Sequence, residues 1–232
     1  MILSIIVPVY NEKNTILEIL KKIEMVNIND FGFQKEIIIV DDDSKDGTKE
    51  LLNNIAQEKN LKVIHHSTNR GKGAAIRTGL DCVTGDFVII QDADLEYDPQ
   101  DYKKLLEYIL KNRVEVVYGS RRLGNPRRFS HFSYYLGGVF LTFVANLIYR
   151  TKITDEATCY KLFKTEIIKS IPLKCEKFEF CPEVTAKIAK KGIKIHEVPI
   201  NYFPRSEAEG KKIKCKDGLV ALWTLIKYKF VD

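Results

Sequence analysis

The sequence predicts an α/β protein built on one mostly parallel sheet flanked by helices. Short apolar runs rich in β-branched residues alternate with segments in which apolar residues recur every three or four positions. That alternation is typical of strand–helix–strand units, whose strands lie parallel. The chain has 232 residues and no internal repeat or linker, so we expect a single domain over 1–232 with one large core.

The first half of the chain carries five predicted strands separated by helices. Helices are expected over Gly71–Cys82 and Pro99–Lys111, where the apolar residues follow helical spacing. Each helical segment suits a right-handed crossover, which keeps successive strands parallel. The predicted strands are Leu3–Val9, Glu36–Asp41, Leu61–His66, Asp86–Gln91 and Val114–Tyr118.

The second half is more mixed, and two of its segments suggest contact with a membrane surface. Phe132–Tyr149 contains no charged residue, but it is short for a membrane span, which takes about 20 residues. We expect a helix there that is either buried or interfacial. Gly218–Phe230 is expected to be amphipathic, and its part Trp223–Lys229 mixes apolar and basic residues, a composition that favours the surface of an anionic bilayer.

Composition favours an intracellular protein with anionic ligands. The formal net charge is +6, and the five cysteines are scattered without a C-x-x-C pair. Neither a disulfide framework nor a zinc site is therefore indicated, and a reducing cytosol fits. Met1–Val9 has no basic region or cleavage site and continues as a strand, so it is not expected to be a signal peptide.

Carboxylates follow three of the predicted strands. Because the carboxyl ends of parallel strands meet at one edge of a sheet, these groups converge and would repel one another without a cation. Mg²⁺ or Mn²⁺ accepts oxygen ligands and shares them between carboxylates and a substrate diphosphate. The carboxylates are Glu12 after the first strand, Asp41 and Asp42 after the second, and Asp92, Asp94 and Glu96 after the fourth.

A phosphate site is indicated where the predicted helix Gly71–Cys82 begins. Asn69–Ala75 places glycines together with Arg70 and Lys72 at the entrance of this helix. Free backbone N–H groups and the helix dipole favour phosphate there. The segment lacks the spacing of a P-loop, and close helix packing would also explain its glycines.

These motifs, in this order, resemble those of family 2 glycosyltransferases. Segments near Asp94–Pro99, Glu197–Ile200 and Arg205 resemble in particular the dolichol-phosphate mannose synthase and polyprenyl-phosphate glycosyltransferase branch. Two positions depart from the pattern, since Asp43 replaces the usual glycine and Glu96 a common glutamine. The shared motifs are Pro8-Val9-Tyr10-Asn11-Glu12, Val40-Asp41-Asp42, Asp46-Gly47-Thr48, Asn69-x-Gly71-Lys72-Gly73, Asp92-Ala93-Asp94 and Gly119-Ser120-Arg121.

The resemblance implies a GT-A fold with a Rossmann-like sheet and an inverting glycosyl transfer. The sugar would pass from a GDP- or UDP-linked donor to a polyprenyl or dolichyl phosphate, with 1–119 binding the donor and 120–232 the acceptor. Mg²⁺ or Mn²⁺ held by Asp92, Asp94 and Glu96 would serve the diphosphate. The residues expected to bind the donor are Pro8, Tyr10, Glu12, Asp41, Lys72 and Asp92.

The acceptor determines which further groups catalysis needs. A hydroxyl acceptor requires a carboxylate base, which Asp155 or Glu156 would supply. A lipid phosphate is already an anionic nucleophile and needs cations to hold it. Asp94, Asp155 and Arg121 are accordingly the predicted catalytic residues. The cations predicted for the acceptor phosphate are Arg121, Arg128, Arg205 and Lys211, within a larger set that includes Arg122, Arg127 and Lys212.

Three functions remain open at this stage. The preferred one is a lipid-phosphate glycosyltransferase, peripheral on the cytoplasmic face of a membrane. The second is a soluble family 2 enzyme that glycosylates a saccharide or another hydroxyl acceptor with Asp155 as its base. The third is a non-catalytic module that binds a nucleotide sugar or nucleic acid. Nucleic acid is not expected as a partner, because the acidic strand ends would repel a phosphate backbone.

Overall fold

The structure is a computed structural model that describes residues 1–59, 61–124, 132–205, 212 and 215–231. Its strands are β1 (Ile2–Val9), β2 (Gln34–Asp41), β3 (Lys62–His65), β4 (Phe87–Ile90), β5 (Val116–Ser120), β6 (Lys161–Lys164) and β7 (His196–Pro199). Its helices are α1 (Ile16–Met25), α2 (Thr48–Lys59), α3 (Lys72–Asp81), α4 (Tyr102–Asn112), α5 (Arg121–Gly124), α6 (Phe132–Tyr149), α7 (Thr165–Lys169), α8 (Phe180–Lys190) and α9 (Cys215–Phe230). Short 3₁₀ turns cover Asn29–Phe31 and Pro99–Asp101.

Within the described residues, seven strands form one mixed sheet in the order β3-β2-β1-β4-β6-β5-β7. β1 lies between β2 and β4 and is parallel to both, β3 is parallel to β2, and β5 is parallel to β7. β6 runs antiparallel to its neighbours β4 and β5. The predicted α/β class with a mostly parallel sheet is confirmed, and strands from both halves of the chain share that sheet.

The core lies on both faces of β1. Leu3, Ile5 and Val7 pack with α1 and α4 on one face, whereas Ile6 packs with α3 and α8 on the other. Alternate residues of a strand point to opposite faces, so an unbroken apolar run is what a doubly covered strand requires. Gly79 lets α3 approach β1 closely, because an added Cβ would lie 2.5 Å from the Ile6 side chain.

β6 and α8 were not predicted from the sequence. β6 has only four residues, and its Lys161 is fully buried, so a pattern of alternating polar and apolar residues is missing. α8 is buried throughout residues 180–188 and therefore lacks the polar face by which an amphipathic helix is recognised. Both elements complete the sheet and its covering layer in the second half of the chain.

α6 and α9 pack against each other and against α8, and both expose apolar side chains. Only Thr142 and Ala145 of α6 are buried, so the alternative of a buried core helix is wrong. Among the described helices, α6 is the one that length and composition would allow to cross a membrane. We call the exposed set the apolar helix surface; it comprises Phe132, Leu136, Phe140, Phe143, Leu147, Leu219, Val220, Trp223, Ile226 and Phe230.

Candidate active site

A cavity of about 760 Å³ opens at the carboxyl edge of the sheet. The loops after β1 and β4, the start of α3, and parts of α6 and α9 line it, so both halves of the chain contribute. Arg128 and Lys211, predicted to bind the acceptor phosphate, lie outside the described residues. The predicted site residues that line the cavity are Pro8, Tyr10, Glu12, Lys72, Asp92, Asp94, Glu96, Arg121, Asp155 and Arg205.

The two aspartates at the end of β2 occupy different environments. Asp41 is fully buried, with Oδ2 located 2.9 Å from Nδ1 of His65 and Oδ1 accepting a hydrogen bond from the backbone N of Ser44. Asp42 lines the cavity and accepts a hydrogen bond from the backbone N of Gly71 at 2.7 Å. Asp42 therefore lines the cavity and the buried Asp41 does not, and the nucleoside contact of Asp41 stays a prediction.

Lys72 is the first residue of α3 and places a cation beside Asp92, with Nζ 2.5 Å from Oδ1. The preceding Gly71 has φ 94°, and an added Cβ would lie 2.4 Å from the carbonyl oxygen of Glu176, so this turn requires glycine. Burial opposes both charges, but the ion pair raises the pKa of Lys72 well above its usual value and lowers the pKa of Asp92. The start of α3 thus supplies the positive charge of Lys72, whereas the backbone N–H groups predicted to bind phosphate are engaged, since Gly73 N donates to the carbonyl oxygen of Lys177 and Ala74 N to that of Glu176, each at 3.0 Å.

The Asp94 carboxylate lies among other acidic groups. Burial, followed by the charges of Asp92 and Glu96, raises the pKa of Asp94 to about 7. Its Oδ2 accepts a hydrogen bond from Nη2 of Arg205 at 3.2 Å, which offsets part of this negative charge. A divalent cation at the same position would offset it further, because an opposite charge stabilises the ionised carboxylate.

The predicted three-ligand metal site is only partly assembled. Both oxygens of Glu96 are engaged, since Oε2 accepts from the hydroxyl of Tyr202 at 2.8 Å and Oε1 from the backbone N of Arg205 at 2.7 Å. Among the described residues, no three His, Cys, Asp or Glu side chains form a group able to hold a metal ion. Asp92 and Asp94 are engaged as well, by Lys72 and Arg205, so a metal ion would replace these cations as their partner. Two aspartates fit Mg²⁺ or Mn²⁺, because these ions commonly take one or two carboxylates and complete their shell with substrate phosphate and water.

Arg205 and Lys212, both assigned from the sequence to an acceptor phosphate, bind Glu12 in this structure. The two Nη atoms of Arg205 each lie 3.2 Å from a Glu12 oxygen, and Nζ of Lys212 lies 2.7 Å from Oε1. Burial opposes the charge of Glu12, but hydrogen bonds from these cations lower its pKa. Arg205 therefore lies against Glu12 and Asp94, on the side of the cavity predicted for the donor and the metal.

Arg121 and Asp155 form a buried bidentate ion pair. Nε and Nη2 of Arg121 each lie 2.7 Å from one Asp155 oxygen, and the backbone N of Arg121 donates to Oδ2 at 3.0 Å. Burial opposes both charges, but the pair raises the pKa of Arg121 well above its usual value and lowers the pKa of Asp155. A carboxylate with a lowered pKa and both oxygens engaged is a weak base.

Glu197 and Tyr202 hold this ion pair in place, and the sequence assigned a role to neither. The Glu197 carboxylate accepts hydrogen bonds from the backbone N of Thr154 at 2.6 Å and of Asp155 at 2.9 Å. The Tyr202 ring lies against Arg121, with Cζ 5.1 Å from the ring centroid. The motif around Glu197 was the one signal that could have pointed to its role.

Glu156, the other predicted candidate base, does not line the cavity. Its side chain is fully buried, and neither carboxylate oxygen has a hydrogen-bond partner. Burial raises the pKa of Glu156 to about 7, since the ionised form is poorly solvated there. Because Glu156 is buried and does not line the cavity, a direct role in removing a proton from an acceptor is disfavoured.

The cavity extends from the charged groups to the apolar helix surface. α6 contributes Tyr135 and Phe140 to its wall, and α9 contributes Leu219 and Leu222. Phe140 is 52% exposed and Leu219 is 71% exposed, so this part of the wall continues onto the outside of the protein. One bound molecule can therefore place a charged group near Arg121 and an apolar chain along α6 and α9.

Comparisons with known proteins give a family, several relatives and a similar fold. The model of Glycosyl transferase family 2 matches residues 4–171. A dolichyl-phosphate beta-glucosyltransferase of Trichomonas vaginalis is 31% identical over 97% of this chain and 72% of its own. A UDP-N-acetylglucosamine–dolichyl-phosphate N-acetylglucosaminyltransferase of Methanococcus voltae is 30% identical over 91% of this chain and 90% of its own. Glucosyl-3-phosphoglycerate synthase of Mycobacterium tuberculosis, solved with Mn²⁺, uridine diphosphate and phosphoglyceric acid, gives a TM-score of 0.72 at 16% identity over 99% of this chain and 79% of its own.

Proposed function

Because the chain belongs to glycosyl transferase family 2, we propose that it transfers a sugar from a nucleoside diphosphate sugar to a polyprenyl or dolichyl phosphate, with inversion. The GT-A fold predicted from the sequence is confirmed by structural neighbours that are glycosyltransferases. Two of the relatives described above have names that specify dolichyl phosphate, which supports this class of acceptor. The base of the donor, guanine or uracil, is left open.

The observation that carries the acceptor assignment is the ion pair between Arg121 and Asp155. Asp155 is the one predicted base that lines the cavity, and Arg121 engages both of its oxygens. A hydroxyl acceptor needs a base, whereas a phosphate oxygen attacks without losing a proton. Arg121 uses two of its five N–H donors on Asp155, which leaves others for a phosphate.

On the donor side, the Lys72 side chain holds the diphosphate, and Glu12 and Asp42 lie where the nucleoside enters. Mg²⁺ or Mn²⁺ bound to Asp92 and Asp94 would stabilise the charge that develops on the leaving diphosphate. Lys72 lies 2.5 Å from Asp92 and therefore beside the proposed metal position. Its ammonium group supplies a second positive charge for the oxygens of the leaving diphosphate. Loss of this charge would slow departure of the nucleoside diphosphate.

In the transfer step, an oxygen of the acceptor phosphate bonds to the anomeric carbon of the sugar. The bond from that carbon to the diphosphate oxygen breaks on the opposite side, so the configuration inverts and the nucleoside diphosphate leaves with the electron pair. Arg121 and Arg122 both line the cavity and orient the attacking phosphate. The main task of the protein is to hold the anionic donor and the anionic acceptor side by side, because their mutual repulsion opposes the encounter.

Replacing Asp155 by asparagine distinguishes a phosphate acceptor from a hydroxyl acceptor, because the two predict different kinetic effects. For a phosphate acceptor, we expect KM for polyprenyl phosphate to rise about tenfold with a smaller change in kcat, because Arg121 loses part of its orientation. For a hydroxyl acceptor, loss of the base would lower kcat by about 10²–10⁴ at unchanged donor binding. The measurement is transfer from UDP-, GDP- and CDP-sugars to polyprenyl phosphate and, as the matched control, to the free polyprenol. Transfer to the polyprenol but not to its phosphate would contradict the proposal.

We further propose that the apolar helix surface binds the cytoplasmic face of a membrane, so that the cavity has access to a lipid phosphate in that membrane. α6 and α9 expose aromatic side chains, and α9 also carries the exposed Lys216, Lys227 and Lys229. Apolar side chains enter the interface while lysines meet anionic headgroups. The cavity opens onto the same surface through Phe140 and Leu219.

Replacing Phe143 and Trp223 by glutamate is expected to lower the partition coefficient for vesicles containing anionic lipid by about a hundredfold. Phe143 is 61% exposed and Trp223 is 63% exposed, and burial of one such side chain contributes about 1.5–3 kcal/mol. Cosedimentation with vesicles measures the effect. Leu17→Glu is the matched control, because Leu17 is 50% exposed on α1 and should not alter vesicle binding. Equal vesicle binding by the double variant and the parent would show that the apolar helix surface does not bind the membrane.

A further inference from the structure

We propose that His66 is a positioning residue for the donor site, because it holds Asp42 and, through Asp42, the turn that presents Lys72 to the donor diphosphate. His66 follows β3, is 6% exposed and does not line the cavity. Its effect on the donor therefore passes through other residues. The inference rests on the proposed function, since it concerns how the donor diphosphate is bound.

The His66 imidazole links two elements of the fold. Its Nδ1 lies 2.7 Å from Oδ1 of Asp42, and its Nε2 lies 2.9 Å from the hydroxyl oxygen of Thr78 on α3. Asp42 accepts backbone hydrogen bonds on both carboxylate oxygens, so in its contact with His66 the proton belongs to Nδ1, which donates. In the neutral imidazole, Nε2 then accepts a hydrogen bond from the Thr78 hydroxyl.

Asp42 is the residue around which the loop between β3 and α3 is arranged. Its Oδ1 accepts a hydrogen bond from the backbone N of Arg70 at 2.8 Å, and its Oδ2 accepts one from the backbone N of Gly71 at 2.7 Å. The Asn69 side chain donates to the carbonyl oxygen of Asp42 at 3.1 Å. With His66, four donors from one short loop converge on Asp42. A carboxylate that accepts several hydrogen bonds is fixed in place and in turn fixes the backbone that donates to it.

The turn held by Asp42 determines where α3 begins. Gly71 has a φ of 94° and directly precedes Lys72, the first residue of α3. On its other side the turn is confined, because an added Cβ on Gly71 would lie 2.4 Å from the carbonyl oxygen of Glu176. A shift of the Asp42 carboxylate would release the Gly71 N–H and move the backbone of Lys72. The imidazole is therefore connected to the proposed diphosphate contact by one carboxylate and one turn.

Two substitutions of His66 separate positioning from a purely structural role. His66→Leu removes both hydrogen bonds and is expected to weaken binding of a nucleotide sugar about tenfold in calorimetry well below Tm. His66→Asn places an amide Nδ2 where Nδ1 lies, which can donate to Asp42, so we expect an affinity within about threefold of the parent. A structural role alone would lower Tm in both variants without separating their donor affinities. Donor binding by His66→Leu equal to that of the parent would overturn the proposal.

His196→Leu is the matched control for His66→Leu. His196 lies on β7 and does not line the cavity, so its replacement should leave the donor affinity unchanged. KM for the lipid phosphate should change by less than about threefold in His66→Leu, because the acceptor cations are not connected to this loop. A loss confined to the acceptor would contradict the role assigned to His66.

A double-mutant cycle tests the path through Lys72. In a Lys72→Ala chain the proposed diphosphate contact is already absent, so adding His66→Leu should weaken donor binding by less than about twofold. A further loss as large as that in the parent would show that His66 does not act through Lys72, and would overturn the proposed path.

Inorganic pyrophosphate distinguishes failure of this inference from failure of the proposed function. If the parent binds none of the UDP-, GDP- or CDP-sugars, the proposed function fails, whereas pyrophosphate binding about tenfold weaker in His66→Leu than in the parent would still support the positioning of Lys72. A parent that binds neither the sugars nor pyrophosphate would overturn both. If His66→Leu does not fold, Thr78→Val removes the hydroxyl that orients the imidazole and should weaken pyrophosphate binding by about two- to threefold. Unchanged binding by Thr78→Val would then overturn the inference.

Discussion

Replacing Asp94 by asparagine is expected to lower the transfer rate by about a thousandfold. Asparagine keeps an oxygen for the backbone N of Glu96, which Asp94 accepts at 3.1 Å, so the local turn should persist. The substitution removes the charge that would bind a divalent cation together with Asp92. The loss should therefore appear in kcat, because the cation acts on charge that develops as the diphosphate leaves. Initial rates with Mg²⁺ or Mn²⁺ at saturating donor measure it.

Asp81→Asn is the matched control for Asp94→Asn. Asp81 is an exposed aspartate at the end of α3 and does not line the cavity, so its replacement should leave the rate unchanged. Mn²⁺ binding in the presence of the nucleoside diphosphate supplies a readout that does not depend on turnover. Full turnover by Asp94→Asn, or Mn²⁺ affinity equal to that of the parent, would remove Asp94 from the proposed metal site.

Replacing Arg121 by alanine is expected to lower kcat/KM for the lipid phosphate by about a hundredfold or more, with a change below about threefold in the donor Kd. The substitution removes the proposed phosphate contact and leaves the buried Asp155 carboxylate without its bidentate partner. Kinetics at varied polyprenyl phosphate separate the acceptor effect from the donor effect. A normal kcat/KM would show that Arg121 does not bind the acceptor.

A second variant keeps this prediction testable if the chain loses stability. An unpaired buried charge costs about 3–5 kcal/mol, so Arg121→Ala should also lower Tm. The double variant Arg121→Ala with Asp155→Ala removes both charges and should recover much of Tm without recovering activity. Lys111→Ala removes an exposed charge from α4 and serves as the control for net charge. Recovery of activity in the double variant would assign Arg121 a purely structural role.

The convergence of the acidic strand ends was predictable because it follows from local rules. Apolar periodicity located β1, β2 and β4, and right-handed crossovers made them parallel, so their carboxyl ends had to meet. Glu12, Asp92 and Asp94 accordingly line one cavity. The same rules did not determine which of the two neighbouring aspartates at the end of β2 lines the cavity; in the structure it is Asp42 and not Asp41.

The partners of those carboxylates were not predictable in the same way. Arg205 and Glu12 are 193 residues apart, and Lys212 and Glu12 are 200 residues apart. No periodicity links such positions, because their contact depends on how the whole second half packs against the sheet. The antiparallel β6 and the buried α8, which the sequence did not reveal, help to set that packing.

By itself the sequence determined the fold class, the acidic edge of the sheet and the family, because each depends on short motifs and local spacing. Only the tertiary structure decided how the charges are used. It joined Asp155 to Arg121, engaged Glu96 with Tyr202, and paired the two remaining predicted metal ligands, Asp92 and Asp94, with Lys72 and Arg205. The physical reason is that a carboxylate acts as a base, a metal ligand or a structural anchor according to the groups that surround it, and those groups come from distant parts of the chain.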